Sequence, residues 1–332
     1  MRYLVTLILC LFASGAGAQD WEDRQIFNES ADGPRLRVIS STDTALFAPL
    51  IEDFVAQNPA ISVEYLVTGT ADIDRRVRAT PEAFDVVVSS AMDLQLKLAN
   101  DGYALALNDL PHPPWAQWHQ SLFAFTSEPA TIVVNRTAFE GQPMPQTRQE
   151  LIEALRARPD DFRGKVGTYD VRQSGLGYLF ATQDARASET YWRLMEVLGG
   201  LDVRLYCCSG DMINDLADGT IAVAYNVLGS YAAVRTEGKD ALQIILPSDF
   251  QTTMMRTAMV TGKSRLPEEA ETFVRHLTTL NPESMAALPL LDTQDSTTES
   301  AAIALDPALL TFLDTLKRRK FLSAWESAAI QK

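Results

Sequence analysis

From Arg35 onward the chain alternates between two hydrophobic periods. Leu36, Val38 and Ile39 form a short β-type run, followed by the polar turn Ser40-Ser41-Thr42-Asp43. Phe47, Leu50, Ile51, Phe54 and Val55 then recur at helical spacing, which predicts a helix stopped by Asn58-Pro59. Residues 61–67 predict a second strand, and Thr68-Gly69-Thr70-Ala71 turns into a charged helix through Val77. Residues 84–88 are a β-branched run of the kind found in strands buried on both faces. Ser89-Ser90 then opens a helix toward Leu98. Strand, hydroxyl-rich turn and helix thus occur three times in succession, which implies βαβ units and a parallel sheet.

Parallel crossovers bring all such turns to one sheet edge, where open α/β sheets bind ligands. Each turn also sits at a helix N-terminus, with unpaired N–H groups and partial positive charge. Any one Ser or Thr there reads equally as an N-cap; three at one edge suggest a binding wall. Pro111–Trp118 is irregular, and beyond it the pattern restarts. Strands are expected at 131–134, 165–168, 221–225, 242–246 and 257–261. Helices are expected around Leu151, Ile152 and Leu155, from Tyr169–Gly177 onward, over 189–198, and around Phe273, Val274 and Leu277. The reading is two α/β lobes, with the chain crossing near 124–134 and 246–252.

The N-terminus changes the picture. Arg2, the apolar run Leu4–Phe12 and Ala16-Gly17-Ala18 form a signal peptide cleaved after Ala18, too short to span a bilayer. Residues 19–34 are polar and without period, and read as an arm. The 332 residues fit two domains, and the net charge of −14 grows by one when Arg2 leaves. That acidity excludes broad phosphate-backbone binding and disfavours anionic membranes. Cys207 and Cys208 are adjacent; they read either as two partly buried thiols or as a strained vicinal disulfide.

Catalytic signatures fail. Thr261-Gly262-Lys263-Ser264 has Thr257 where a P-loop needs glycine. Ser174 is flanked by Arg172 and Leu176 where a nucleophile elbow needs glycines. His112, His119 and His276 lie outside the strand-to-helix turns, and no metal or cofactor is expected. The sharpest local feature is Arg172-Gln173-Ser174-Gly175-Leu176-Gly177-Tyr178. Ser174 can cap a helix whose glycines admit a ligand to backbone N–H groups, and Arg172 offers a planar fork for an anion. The bland alternative is a capped helix with glycines for close packing. The stretch Ala224-Tyr225-Asn226-Val227-Leu228-Gly229-Ser230-Tyr231 again puts polar groups after a strand, or else forms a tight turn with a core tyrosine.

The export signal, the Ser/Thr turn, the Ser-Gly-Leu-Gly helix start and the Ala224–Tyr231 stretch resemble periplasmic solute-binding proteins of ABC transporters. The resemblance is to the ferric-iron-type branch that includes sugar-phosphate receptors and a phosphoglycerate regulator. It implies a bilobal type II α/β fold hinged on crossing strands. Lobe 1 would hold 35–123 and 248–300 and lobe 2 would hold 124–247, with C-terminal helices in 301–332 packing across both. The resemblance also implies a periplasmic receptor, without turnover, that captures a small solute and delivers it to an inner-membrane permease. The site would take Ser41, Thr42, Thr70 and Ser90 from lobe 1, and Arg172, Ser174, Gly175, Gly177, Tyr225, Asn226 and Tyr231 from lobe 2. Where iron binders carry adjacent tyrosines, this chain has Leu228 and Gly229. Hydroxyls, glycines and one Arg therefore favour an organic anion or phosphate ester over iron, although Tyr225 and Tyr231 could substitute. A monomer with no nucleic-acid partner is expected. The alternatives are a ligand sensor for a membrane histidine kinase and an exported hydrolase.

Overall fold

The computed structural model describes residues 21–238, 240–280, 288–291 and 302–331. The signal-peptide reading lies outside these residues. The elements of the first half run β1 (Asp23–Phe27), β2 (Arg35–Ser40), α1 (Thr44–Gln57), β3 (Ser62–Val67), α2 (Thr70–Ala79), β4 (Val86–Ser89), α3 (Met92–Asn100), β5 (Gln117–Trp118) and β6 (Leu122–Ala124). Next come β7 (Glu128–Asn135), α4 (Arg148–Ala157), α5 (Pro159–Phe162), β8 (Val166–Tyr169), α6 (Gly175–Ala187), α7 (Thr190–Gly200), β9 (Arg204–Tyr206) and α8 (Ser209–Ala217). The chain continues through β10 (Val223–Leu228), α9 (Gly229–Thr236), β11 (Leu242–Ile245), β12 (Thr253–Met254), β13 (Thr257–Val260), α10 (Pro267–Thr279) and α11 (Thr315–Ala329).

Among the described residues these strands form two sheets, ordered β1-β3-β2-β4-β13-β6-β5 and β11-β7-β10-β8-β9. In the first, β2 pairs in parallel with β3 and β4, so the turns after all three strands open on one edge. Val86, Val87 and Val88 are fully buried, as the β-branched run predicts. In the second, β8 pairs in parallel with β9 and β10, while β7 runs antiparallel to β10 and β11. The chain passes between the lobes at β6–β7 and again at β12–β13, where β12 also pairs with β7.

The sequence pattern misplaces two segments. Residues 23–27, read as part of an irregular arm, form the edge strand β1 antiparallel to β3. Only Phe27 at its end is buried, while Asp23, Arg24 and Gln25 are polar and exposed and show no inward period, so the strand is specified largely by its partner: Arg24 reaches across to the buried Glu64, which Arg37 also pairs. The strand expected to end at Tyr225 continues to Leu228 through a bulge. The pairing with β7 shifts register between Tyr225 and Val227, and Asn226 between them has φ 67°, a region asparagine tolerates.

Core packing follows the helical stripes. Phe47, Leu50, Ile51 and Phe54 of α1 are buried, and Asn58 ends the helix by returning its amide to the Phe54 carbonyl. Helix α11 lies on lobe 2, where Phe321 meets Tyr178 and Trp192 edge-on or tilted and Trp325 is fully buried. The approach is so close that a Cβ on Gly199 would fall 2.2 Å from the Ala328 carbonyl oxygen.

Candidate functional site

The turn edges of the two sheets face each other across a cleft. Ser41, Asp43, Thr68, Gly69 and Thr70 line it from lobe 1, with Glu22 from the residue preceding β1. Gln173, Ser174, Leu176, Cys207, Cys208 and Tyr231 are among the residues lining it from lobe 2. The enclosed part is small, about 50 Å³. Through Glu22, Asp43, Cys207 and Cys208 it opens onto a mouth of about 460 Å³, where Asp211 and Arg235 join the wall.

The lobes touch directly. Thr70 Oγ1 accepts bonds from the Gly175 and Leu176 N–H groups at 2.9 and 3.2 Å. Tyr231 donates to Asp43 Oδ1 at 2.7 Å and accepts from the Asp43 N–H at 3.1 Å. A Cβ on Gly175 would fall 2.8 Å from Leu94 Cδ1. The backbone donors at the start of α6 are thus engaged by the facing lobe.

The expected site residues divide into those at the cleft and those behind it. Ser41, Thr70, Ser174 and Tyr231 line the cleft. Ser174 also caps α6, accepting the Gly177 N–H at 3.0 Å. Ser90 sits just behind Ser41, donating its N–H to the Ser41 hydroxyl at 3.2 Å. Thr42 is buried: its carbonyl accepts from Tyr65 and its hydroxyl contacts the Arg256 guanidinium. Gly177 serves packing, since a Cβ there would lie 2.3 Å from Tyr169 Cβ.

Three residues are placed away from the cleft. Tyr225 donates to Asp184 at 2.6 Å and accepts from Arg148 at 2.7 Å inside lobe 2. The bulge aims Asn226 at the same carboxylate, at 3.0 Å. Arg172, the fork expected to meet an anion, is held by Asp170 through bonds of 2.8 and 2.7 Å and faces Glu326 of α11.

Two groups of polar residues escaped the sequence reading. One is the fully buried hinge pair Arg256–Glu128, at 2.8 Å, which joins Thr42 of lobe 1 to Ser230 of lobe 2. Nothing in its spacing links residues so far apart in sequence. The other is the acidic mouth. Asp43 stood in a turn read for its hydroxyls, and Asp211 lies in the first turn of α8, an amphipathic helix with Met212, Ile213 and Leu216 buried that the sequence reading did not identify. Glu22, Asp43 and Asp211 make no ion pair among the described residues. Burial, then the charges of Asp43 and Asp211, raise the Glu22 carboxyl above the usual range. Burial and then Asp43 push the Tyr231 hydroxyl well above its ordinary value. Cys207 and Cys208 are free thiols in this structure, exposed and half-buried respectively, with their sulfurs 2.7 Å apart. The hydrogen bond between them lowers Cys207 and raises Cys208.

The family model for bacterial extracellular solute-binding proteins matches residues 49–307. No curated protein sequence matches the chain. Among solved structures, it is similar to the substrate binding protein of an ABC transporter from Agrobacterium tumefaciens, at 29% identity and a TM-score of 0.85 over 92% of this chain and 98% of that one. It is also similar to AfuA from Actinobacillus pleuropneumoniae with fructose-6-phosphate bound, at 15% identity and a TM-score of 0.70, covering 90% and 99% of the two chains. Iron-bound HitA from Pseudomonas aeruginosa matches at 15% identity and a TM-score of 0.65 over 89% and 99%. The last two establish the shared fold. With two α/β lobes, a cleft between their turn edges and a family match over most of its length, this chain belongs to the bacterial extracellular solute-binding proteins.

Proposed function

We propose that the chain is the exported, periplasmic receptor of an ABC transporter, closing its lobes on a small cationic solute for delivery to a membrane permease. The role follows the family match and the similarity to the Agrobacterium tumefaciens transporter protein. One observation supports the sign of the solute's charge. Glu22, Asp23, Asp43 and Asp211 line the cleft and its mouth, and Arg235 is the one basic residue among the described lining residues. An anion would meet net negative potential there, with helix α6 N–H groups already bonded to Thr70 and Arg172 turned away.

This reading differs from the anionic solute expected from the hydroxyl-rich turns. Those hydroxyls serve largely as caps and interlobe contacts, and a cation gains from the carboxylates without needing the helix ends. The chemistry is capture without turnover.

A thermal-unfolding panel tests the sign of the charge. The probes are zinc, ferric ion, a diamine and a quaternary ammonium compound, set against fructose 6-phosphate, phosphoglycerate and succinate. A bound cation at ~100 times its Kd should add about 2.7 kcal/mol of stability. Stabilisation by the phosphate esters or succinate, with none by the cations, would overturn the reading.

A further inference from the structure

We propose that Cys207, Cys208 and Asp211 bind a thiophilic metal cation of the zinc and cadmium class at the mouth of the cleft. The proposal rests on the cationic-solute reading and narrows it to the class of cation. The two Sγ atoms are 2.7 Å apart, and Asp211 Oδ2 lies 3.8 Å from one and 3.3 Å from the other. All three candidate ligand atoms lie within 4.8 Å of one another. A zinc ion sits about 2.3 Å from thiolate sulfur and about 2.0–2.2 Å from carboxylate oxygen, so modest parting of the sulfurs opens a ligand triangle.

Both thiols are reachable from the cleft, since Cys207 and Cys208 line its enclosed part and its mouth alike. The facing lobe adds a further donor. A Cβ on Gly210 would lie 3.5 Å from Asp43 Oδ2, which brings that carboxylate against the first turn of α8, where Asp211 follows the cysteines. An ion held by the triad therefore has an oxygen ligand within reach across the cleft, and its capture would favour the closed lobes. Two sulfur donors select zinc, cadmium or cuprous copper over magnesium, calcium or ferric iron, which prefer oxygen. Each thiol that becomes a ligand releases its proton to solvent.

The test is a titration of the full chain, kept reduced with a phosphine, with cadmium. Binding should produce the ultraviolet cadmium–thiolate charge-transfer band, saturating at one ion per chain, and zinc should erase it by competition. C207S/C208S should lose the band. D211N should retain it with affinity lower by about tenfold or more. Both changes lie on exposed or half-buried positions, and unchanged circular dichroism verifies folding. Absence of the band, or equal cadmium affinity in C207S/C208S, would overturn the proposal. If organic cations still protect the protein from heat in that case, only the metal assignment falls. If phosphate esters alone protect it, the cationic-solute reading falls as well.

Discussion

The molecule has two kinds of polar cluster. Inside, Arg256 and Glu128 are fully buried, and each charge is met by an ion partner and hydroxyls. The Arg148–Asp184–Tyr225–Asn226–Thr252 group in lobe 2 is built the same way. At the cleft mouth, Glu22, Asp43 and Asp211 gather charge of one sign, beside two free thiols. Buried charge is retained only when paired. Like charges left together at a cleft lower stability unless a group of opposite sign joins them. The contrast separates polar residues that hold the lobes from those available to a solute, and it puts Tyr225 and Asn226 in the first class.

Breaking the interior should cost most. Glu128→Ala leaves Arg256 buried without its ion partner and should destabilise the protein by about 3–5 kcal/mol in chemical denaturation. A loss below 1 kcal/mol would show that the hinge pair is dispensable. Asp93 sharpens the contrast, because it is a buried carboxyl without an ion pair among the described residues. Burial pushes it up from 3.8 to about 7. Its raised value means that the folded state keeps a proton the unfolded chain has released. Stability should therefore fall as pH rises from about 4 to about 7, and D93N should flatten that slope. The gain at pH 8 should reach a few kcal/mol at ~1.4 kcal/mol per pH unit. An unchanged pH profile in D93N would contradict it.

Smaller effects belong to the cleft. Tyr231→Phe removes the hydroxyl that bridges to Asp43 and should weaken lobe closure by about 1 kcal/mol. Small-angle scattering would register this as a more extended average shape, and an identical profile would count against the latch. Arg172→Ala should change solute affinity by nothing measurable and stability by less than about 1 kcal/mol, since its pairing is half-exposed. A large affinity loss would return Arg172 to the site.

Much of this fold was legible in the sequence because periodicity reports burial. The β2–α1 and β3–α2 units and the valines of β4 appear as alternating periods, and Ser174 was readable as a cap. What sequence could not supply was direction. Tyr225 and Asn226 share a polar stretch with Tyr231, yet the bulge at Asn226 sends the first two into lobe 2 and leaves Tyr231 at the cleft. Arg172 looked free, although its partner Asp170 stands only two residues earlier. The cysteine pair was visible and Asp211 stands only three residues on, but their place opposite Asp43 depends on two lobes meeting. Glu22 was hidden in a segment whose strand is specified only by its neighbour.

The central claim is that carboxylates from both lobes receive a cation. Its most direct test is isothermal titration of the wild type and of D43N/D211N with whichever cationic probe protects best from heat, alongside fructose 6-phosphate. The account predicts that the double variant binds the cation at least about tenfold more weakly, a loss of about 1.4 kcal/mol, while the wild type does not bind the phosphate ester. Unchanged cation affinity in the double variant, or wild-type binding of fructose 6-phosphate alone, would contradict it.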